Sequence, residues 1–319
     1  MNIAFGPVPS RRLGRSLGIN NIPPKICTYA CVYCQLGPTL MMSVNRQAFY
    51  KQEKVIRAVQ DKVAKARVSD EAIDYLTFVP DGEPTLDLNL AAEISALSEL
   101  DIPIAVISNA SLIWRDDVRD DLMGADWVSL KVDAVREPTW HQINRPHGEL
   151  NLHNVLGGIS DFARVFEGDL ATETMLVKGV NDDEANLHET ARFLGEIKPK
   201  VAYIAIPTRP PAEGWVLPAQ EEQIHQAYHL FKQQIDQVEL LLGYEGNAFA
   251  STGDTEQDLL SITAVHPMRE DAVEQLLTKT GANWALVEGL IEQGKLVELS
   301  YSGRHFYLRQ ITMPNNWAE

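Results

Sequence analysis

Short apolar runs recur through the first 250 residues, and longer amphipathic stretches separate them. The runs lie at 74–80 (DYLTFVP), 102–109 (IPIAVISN), 127–133 (WVSLKVD), 171–177 (ATETMLV), 201–207 (VAYIAIP) and 237–243 (QVELLLG). Most are rich in Val, Ile and Leu, the composition of strands buried on both faces. An earlier run at 15–22 (RSLGINNI) predicts one more strand. Between them, 47–66, 90–100 and 221–235 repeat apolar residues at helical spacing. Strands alternating with helices predict βαβ units and a parallel sheet. Six or seven such units predict a full or partial barrel, with function in the loops at the C-terminal ends of the strands.

The rhythm changes after about residue 250. A polar connector at 251–261 separates a barrel domain, 1–250, from a small domain, 262–319. The segments REDAVEQLL, NWALVEGLIEQGKL and VELSYSGRHFYLRQI read as helix, helix and hairpin, turning at Gly303. That order predicts a winged-helix-like module. Such modules often bind DNA, but this one carries five Lys/Arg against seven Asp/Glu. A DNA-binding face is basic, so the charge points to partner docking or to covering the site.

Composition narrows the class. With 319 residues, 45% hydrophobic and 23% charged, the chain can bury a substantial core. No apolar run reaches the roughly 18–20 residues that span a bilayer, and the N-terminal MNIAFGPVPSRRLG lacks the order of a signal peptide. A cytoplasmic location with reduced thiols is expected. The formal net charge is −16, yet residues 1–60 carry +7, which leaves −23 on the rest. That acidic remainder opposes a broad nucleic-acid footprint.

The candidate chemistry is concentrated. All three cysteines, Cys27, Cys31 and Cys34, fall in KICTYACVYCQLG (25–37) with C-x3-C-x2-C spacing. Paired zinc motifs are spaced differently. Three thiolates on one loop can hold three irons of a [4Fe–4S] cluster, which ordinarily takes four cysteines. The fourth iron would then keep an open position, the arrangement that distinguishes catalytic from structural metal sites. Two other readings fit the residues: small apolar packing groups, and a Cys3His zinc site completed by His141, His147 or His266.

C-x3-C-x-aromatic-C, with Tyr33 as the aromatic residue, resembles the signature of the radical S-adenosylmethionine (SAM) superfamily. FGPVPSRRLGRSLGIN followed by CTYACVYCQLG resembles a compact group described as like the wyosine-base (tRNA) synthases. The resemblance covers roughly residues 1–250. It implies an α/β fold, a partial (β/α)6 TIM-like barrel, with a [4Fe–4S] cluster on Cys27, Cys31 and Cys34. It also implies reductive cleavage of SAM to a 5′-deoxyadenosyl radical that takes hydrogen from a substrate.

Further segments match the family's SAM contacts. FVPDGEPTL (78–86) resembles its G-G-E segment, with Asp81 in place of the first glycine. The resemblance puts the carbonyls of Gly82, Glu83 and Pro84, and the Glu83 carboxylate, near the methionine ammonium. Asn109, beside Ser108, ends the third strand, where either serves as a ligand or as a helix cap. Ser129, Lys131 and Asp133 share one face of the fourth strand; Ser129 and Lys131 are the expected ribose or carboxylate contacts, against an internal Lys131–Asp133 ion pair. LVKGVND and AIPTRPPAEGW are expected to support adenine, with Arg209 facing substrate.

The substrate stays open: an unknown substrate first, tRNA modification second, protein or peptide modification third. No cysteine remains for the second cluster of the wyosine synthases, which argues against that reaction. A one-electron donor such as flavodoxin or ferredoxin is implied, and no membrane partner. The alternative from a different class is a non-enzymatic iron–sulfur or zinc regulator that binds DNA through its winged helix.

Overall fold

The structure is a computed structural model that describes residues 3–243, 246, 247, 249 and 254–310. Its main body is an eight-stranded sheet: β1 (Ala4–Ser10), β2 (Gly14–Ile19), β3 (Tyr75–Phe78), β4 (Ile104–Ser108), β5 (Trp127–Lys131), β6 (Asp169–Met175), β7 (Val201–Ala205) and β8 (Val238–Leu241). The strands lie side by side in chain order. From β2 to β8 every pairing is parallel. The sheet is a curled, parallel half-barrel, as the strand spacing predicted.

Burial explains the apolar runs. All five residues of β7 are buried, and Leu76, Ala105, Val106, Val128 and Leu130 are fully so. Helices cover the outer face: α1 (Gln52–Val68), α2 (Leu90–Leu97), α3 (Asp116–Leu122), α4 (Glu137–Asn144), α5 (Leu152–Val165), α6 (Glu184–Ile197) and α7 (Glu221–Lys232). In α1, Val55, Val59 and Val63 recur every four residues and are buried, one apolar stripe against the sheet. Each such valine contributes about 1.5–3 kcal/mol by leaving water. α1 begins five residues later than its spacing predicted. Residues before it pair elsewhere: Gln47 takes the Leu86 carbonyl and gives its own carbonyl to Leu88 N–H.

The edge strand β1 was not anticipated. It pairs antiparallel with β2, with an irregularity between Phe5 and Val8. Its Gly6, Pro7 and Pro9, in the run GPVP, disguise a strand as a loop.

Beyond the barrel lie α8 (Thr255–Thr263), β9 (Met268–Arg269), α9 (Glu270–Thr280), α10 (Ala285–Glu292), β10 (Leu296–Tyr301) and β11 (Arg304–Arg309). β9, β11 and β10 form an antiparallel sheet in that order. Ser302 and Gly303 both have positive φ, the backbone of a tight hairpin turn. The order helix, helix, hairpin matches the sequence pattern. The expected connector differs: 255–261 is helical, because Asp254 caps α8 and Leu259 is fully buried. Positions 251–253 of that connector, and 311–319 of the small domain, lie outside the described residues. Leu259, Met268, Val273, Leu276, Val287 and Leu290 form a second apolar core, which also takes in Phe5 and Val8 of β1.

Candidate active site

The cysteine segment follows β2 and lies over the C-terminal ends of the parallel strands. Two short backbone pairings fasten it: Ile26–Cys27 with Met41–Met42, and Ile26 with Gly82. At Gly82 a Cβ would stand 2.0 Å from the Ile26 carbonyl oxygen, so only glycine lets the two segments meet. On the other side, Val32 N–H bonds the Ile143 carbonyl, Ala30 N–H that of Asn144, and His147 N–H that of Thr28. The Trp140 indole donates to the Tyr29 hydroxyl at 3.2 Å.

The three cysteines are half-buried residues, unbonded to one another. Two receive amide donors: Asn109 Nδ2 lies 3.4 Å from Cys27 Sγ, and Asn144 Nδ2 lies 3.4 Å from Cys31 Sγ. Burial pushes the Cys31 thiol up to about 12, and nearby Asp133 adds to it. Cys27 is raised by burial and then by Glu83. Cys34 is raised by burial and Asp81, while Lys25 lowers it. Among the described residues, no three His, Cys, Asp or Glu side chains gather around one metal-ion position.

Asp81, the departure from the family's glycine, has a local purpose. Its carboxylate pairs with Lys25 Nζ at 2.9 Å, and Lys25 also donates to the Leu36 carbonyl. Lys25 N–H meets the Asp81 carbonyl at 2.6 Å. Burial lifts the Asp81 carboxyl to about 6 against the pull of Lys25. The pair thus ties the start of the cysteine loop to the turn after β3.

Glu83 is fully buried, and four donors converge on its carboxylate. Thr85 N–H and Thr85 hydroxyl lie 3.1 and 2.6 Å from Oε1, Ser108 hydroxyl 2.7 Å from Oε1, and Asn109 N–H 2.7 Å from Oε2. Burial raises its pKa and these bonds pull it back. The side chain is therefore taken up within the protein, capping the short turn Pro84–Leu86. The Pro84 carbonyl already accepts from Asn21 Nδ2 at 3.1 Å, and the Glu83 carbonyl from Leu86 N–H. The Asn109 amide joins Cys27 to Thr28 Oγ1 at 2.8 Å, and its Oδ1 accepts from Ser111 N–H.

The polar face of β5 forms a second network. Lys131 lies opposite Glu173 in the β5–β6 register, and Nζ meets Oε1 at 3.0 Å. It is also 3.6 Å from Asp133 Oδ1 and 4.8 Å from the centre of the Tyr33 ring. The Tyr33 hydroxyl donates to Asp133, and Asn144 Nδ2 does so at 2.7 Å. Ser129 is buried, and its hydroxyl has no partner among the described residues. Asn144 joins Cys31 to Asp133, a role the sequence reading missed. Its only signal was a polar residue immediately before the Arg145–Pro146 break.

Inside the curl of the sheet is a cavity of about 160 Å³. Arg11 and Arg12 of the β1–β2 turn, Glu173, Arg209 and His266 line it, with Gln35 next to the last cysteine. Gln35 Oε1 accepts from the backbone N–H of Thr208 and Arg209 at 3.0 and 2.8 Å. His147 lies off this cavity, and Arg145 pairs with Glu213.

Residues 21–193 match the model of the Radical SAM superfamily. The chain is 46% identical to UPF0026 protein MJ1312 of Methanocaldococcus jannaschii over 98% of this chain and 97% of that protein. A radical SAM methyltransferase from Sphaerobacter thermophilus aligns with TM-score 0.52 and 14% identity over 71% of this chain and 66% of its own. Streptococcus suis SuiB bound to S-adenosylmethionine aligns with TM-score 0.53 and 14% identity over 75% and 56%. This chain spans less than two thirds of either solved structure, and at these identities they share its fold.

Proposed function

This chain belongs to the radical SAM superfamily, and from that premise we propose that it is an enzyme in which Cys27, Cys31 and Cys34 hold a [4Fe–4S] cluster and SAM binds beside it. The observation that carries the reading is the placement of three thiols on one loop, over the C-terminal ends of parallel strands, beside an interior cavity. The donor set suits a cluster with one open iron, because three cysteines come from one loop and the sequence holds no fourth. When bound, the cluster and SAM supply a one-electron reductive cleavage that yields a 5′-deoxyadenosyl radical for hydrogen abstraction.

The residues of this chain hold and orient. Cysteines bind iron as thiolates, and burial here favours the thiols, so the charge of the iron must draw the protons off. The amides of Asn109 and Asn144 then stabilise the sulfur charge. With the Glu83 carboxylate and two carbonyls of the turn already engaged, Gly82 offers the carbonyl for the SAM ammonium, and Pro84 shapes the turn. Ser129 offers a hydroxyl to the ribose or carboxylate. Lys131 acts less directly, fixing Tyr33 and Glu173 beside the cluster loop. A flavodoxin- or ferredoxin-like protein supplies the electron. The described residues contain no helix long and apolar enough to cross a membrane.

The test is anaerobic reconstitution with iron and sulfide, followed by SAM and reductant. The expected result is about four irons per chain and formation of 5′-deoxyadenosine. The Cys31→Ala variant should lose both. Normal SAM cleavage by that variant, or a fully loaded cluster that never cleaves SAM with several reductants, would overturn the proposal. The winged-helix reading of the C-terminal elements belongs to the same proposal as a cover for the site: Val265 and His266 reach the cavity, and the Tyr301 hydroxyl donates to the Pro207 carbonyl at 3.3 Å.

A further inference from the structure

We propose that His225 and His229 of α7 form a two-histidine site for one divalent cation of the copper or nickel class, apart from the cysteine loop.

The sequence supplies the spacing. α7 reads EEQIHQAYHLFK over Glu221–Lys232. His225 and His229 are four positions apart, so both side chains lie on one face of the helix. Ile224, Ala227 and Phe231 are its buried residues, and both histidines are exposed. Paired histidines at this spacing on one helix face can grip a metal ion between them. In the hydrolytic version a glutamate follows the first histidine, to act as general base. Gln226 stands there in this chain, so the site binds a cation without that chemistry.

Geometry carries the inference. The two Nε2 atoms converge to 2.9 Å, and the ring centres are 4.2 Å apart. Without a metal, one ring donates its proton to the other across that gap. A cation can replace the proton and bond both nitrogens. At about 2.0–2.1 Å from each, it would see them about 90° apart. That is the cis angle of square-planar and octahedral coordination. Tetrahedral coordination, usual for zinc, needs the nitrogens about 3.3 Å apart. The cis angle therefore selects Cu(II) or Ni(II), which favour tetragonal nitrogen sites. Among the described residues no third His, Cys, Asp or Glu reaches the same point, so water completes the coordination of this exposed site.

Charge favours the same occupant. Glu221 and Glu222 stand in the first turn of α7, in a chain of net charge −16. His229 lies in the last turn, where the helix dipole favours a cation. Lys232 is directed past the helix end, donating to the Asp236 carbonyl.

The experiment is calorimetric titration of Cu(II), Ni(II) and Zn(II), separately, into the full chain carrying Cys27→Ala, Cys31→Ala and Cys34→Ala. Those changes remove thiols that would compete for each metal. One saturable equivalent is expected, tightest for copper, then nickel, then zinc. The electron paramagnetic resonance spectrum with Cu(II) should be axial, with splitting from two nitrogens. His225→Ala and His229→Ala, each added to that chain, should weaken binding by about tenfold or more, at least the cost of losing a contact that supports a metal ligand. His188→Ala, at an exposed histidine of α6, should bind as the parent does. Lowering the pH should weaken binding, because protons compete for the imidazole nitrogens. Circular dichroism melts show whether each chain is folded; if the alanine chain is not, the same histidine variants are compared by Ni(II) titration of the cluster-loaded chain. No saturable binding of copper or nickel, tighter binding of zinc than of copper, or unweakened binding by the His225→Ala and His229→Ala chains would overturn the inference. SAM cleavage plays no part in the readout.

Discussion

Glu83 and Glu93 are ten residues apart, and both are fully buried. The first sits under the cysteine loop with four donors on its carboxylate. The second lies in the first turns of α2, and neither of its oxygens has a partner among the described residues. Burial, with Asp87 nearby, lifts the Glu93 carboxyl to about 9. The contrast separates two uses of a buried acid. Glu83 organises four groups from two loops around the candidate site. Glu93 packs in the core, where burial favours its neutral form.

The comparison can be broken by experiment. The largest effect is expected at Glu83→Ala, which strands four buried donors and should cost about 3–5 kcal/mol in urea unfolding, with loss of iron loading. A loss below about 1 kcal/mol would mean that the network holds nothing together. Gly82→Ala comes next, since the added Cβ collides with a backbone carbonyl that cannot swing aside. It should cost about 1–3 kcal/mol and reduce 5′-deoxyadenosine formation more than stability alone explains.

Glu93→Gln should have the opposite sign. The folded-state pKa of Glu93 is about 9, above its ordinary 4.5. Between those values the folded protein holds a proton that the unfolded chain has released, so stability falls as pH rises. The amide escapes that loss. The variant should match the parent near pH 4 and exceed it by a few kcal/mol, as an order of magnitude, near pH 8. Parallel pH–stability curves would refute the neutral assignment. Asn144→Leu should have the smallest effect, about 1–2 kcal/mol, because Tyr33 still donates to Asp133. Its sharper signature is a lower reduction potential of the loaded cluster, since an amide donor to Cys31 is lost.

The periodicity of the chain made the seven parallel strands legible, and each appears close to its expected span. Residue type and spacing marked the cysteine loop and the Ser129–Lys131–Asp133 face, and the resemblance to the family's G-G-E segment marked Gly82. Less was legible where partners are distant in sequence. Glu83 is marked by its resemblance to the family's G-G-E segment; only its neighbours reveal that Thr85, Ser108 and Asn109 bond its carboxylate. Asn144 carries no motif, yet it bridges Cys31 and Asp133. The edge strand β1 hides behind prolines and glycines, and its pairing with β2 brings Arg11 and Arg12 to the cavity.

What the sequence determined by itself was periodic or local: a parallel α/β sheet, and three thiols confined to one loop. Both follow from short-range physics, because strand burial imposes its own composition and eight residues cannot spread far apart. Tertiary structure alone decided which polar groups are spent inside the protein and which face the cavity. Hydrogen bonding and desolvation depend on neighbours that the chain brings together from far away, so Glu83, Glu93 and the arginines take their meaning from the fold.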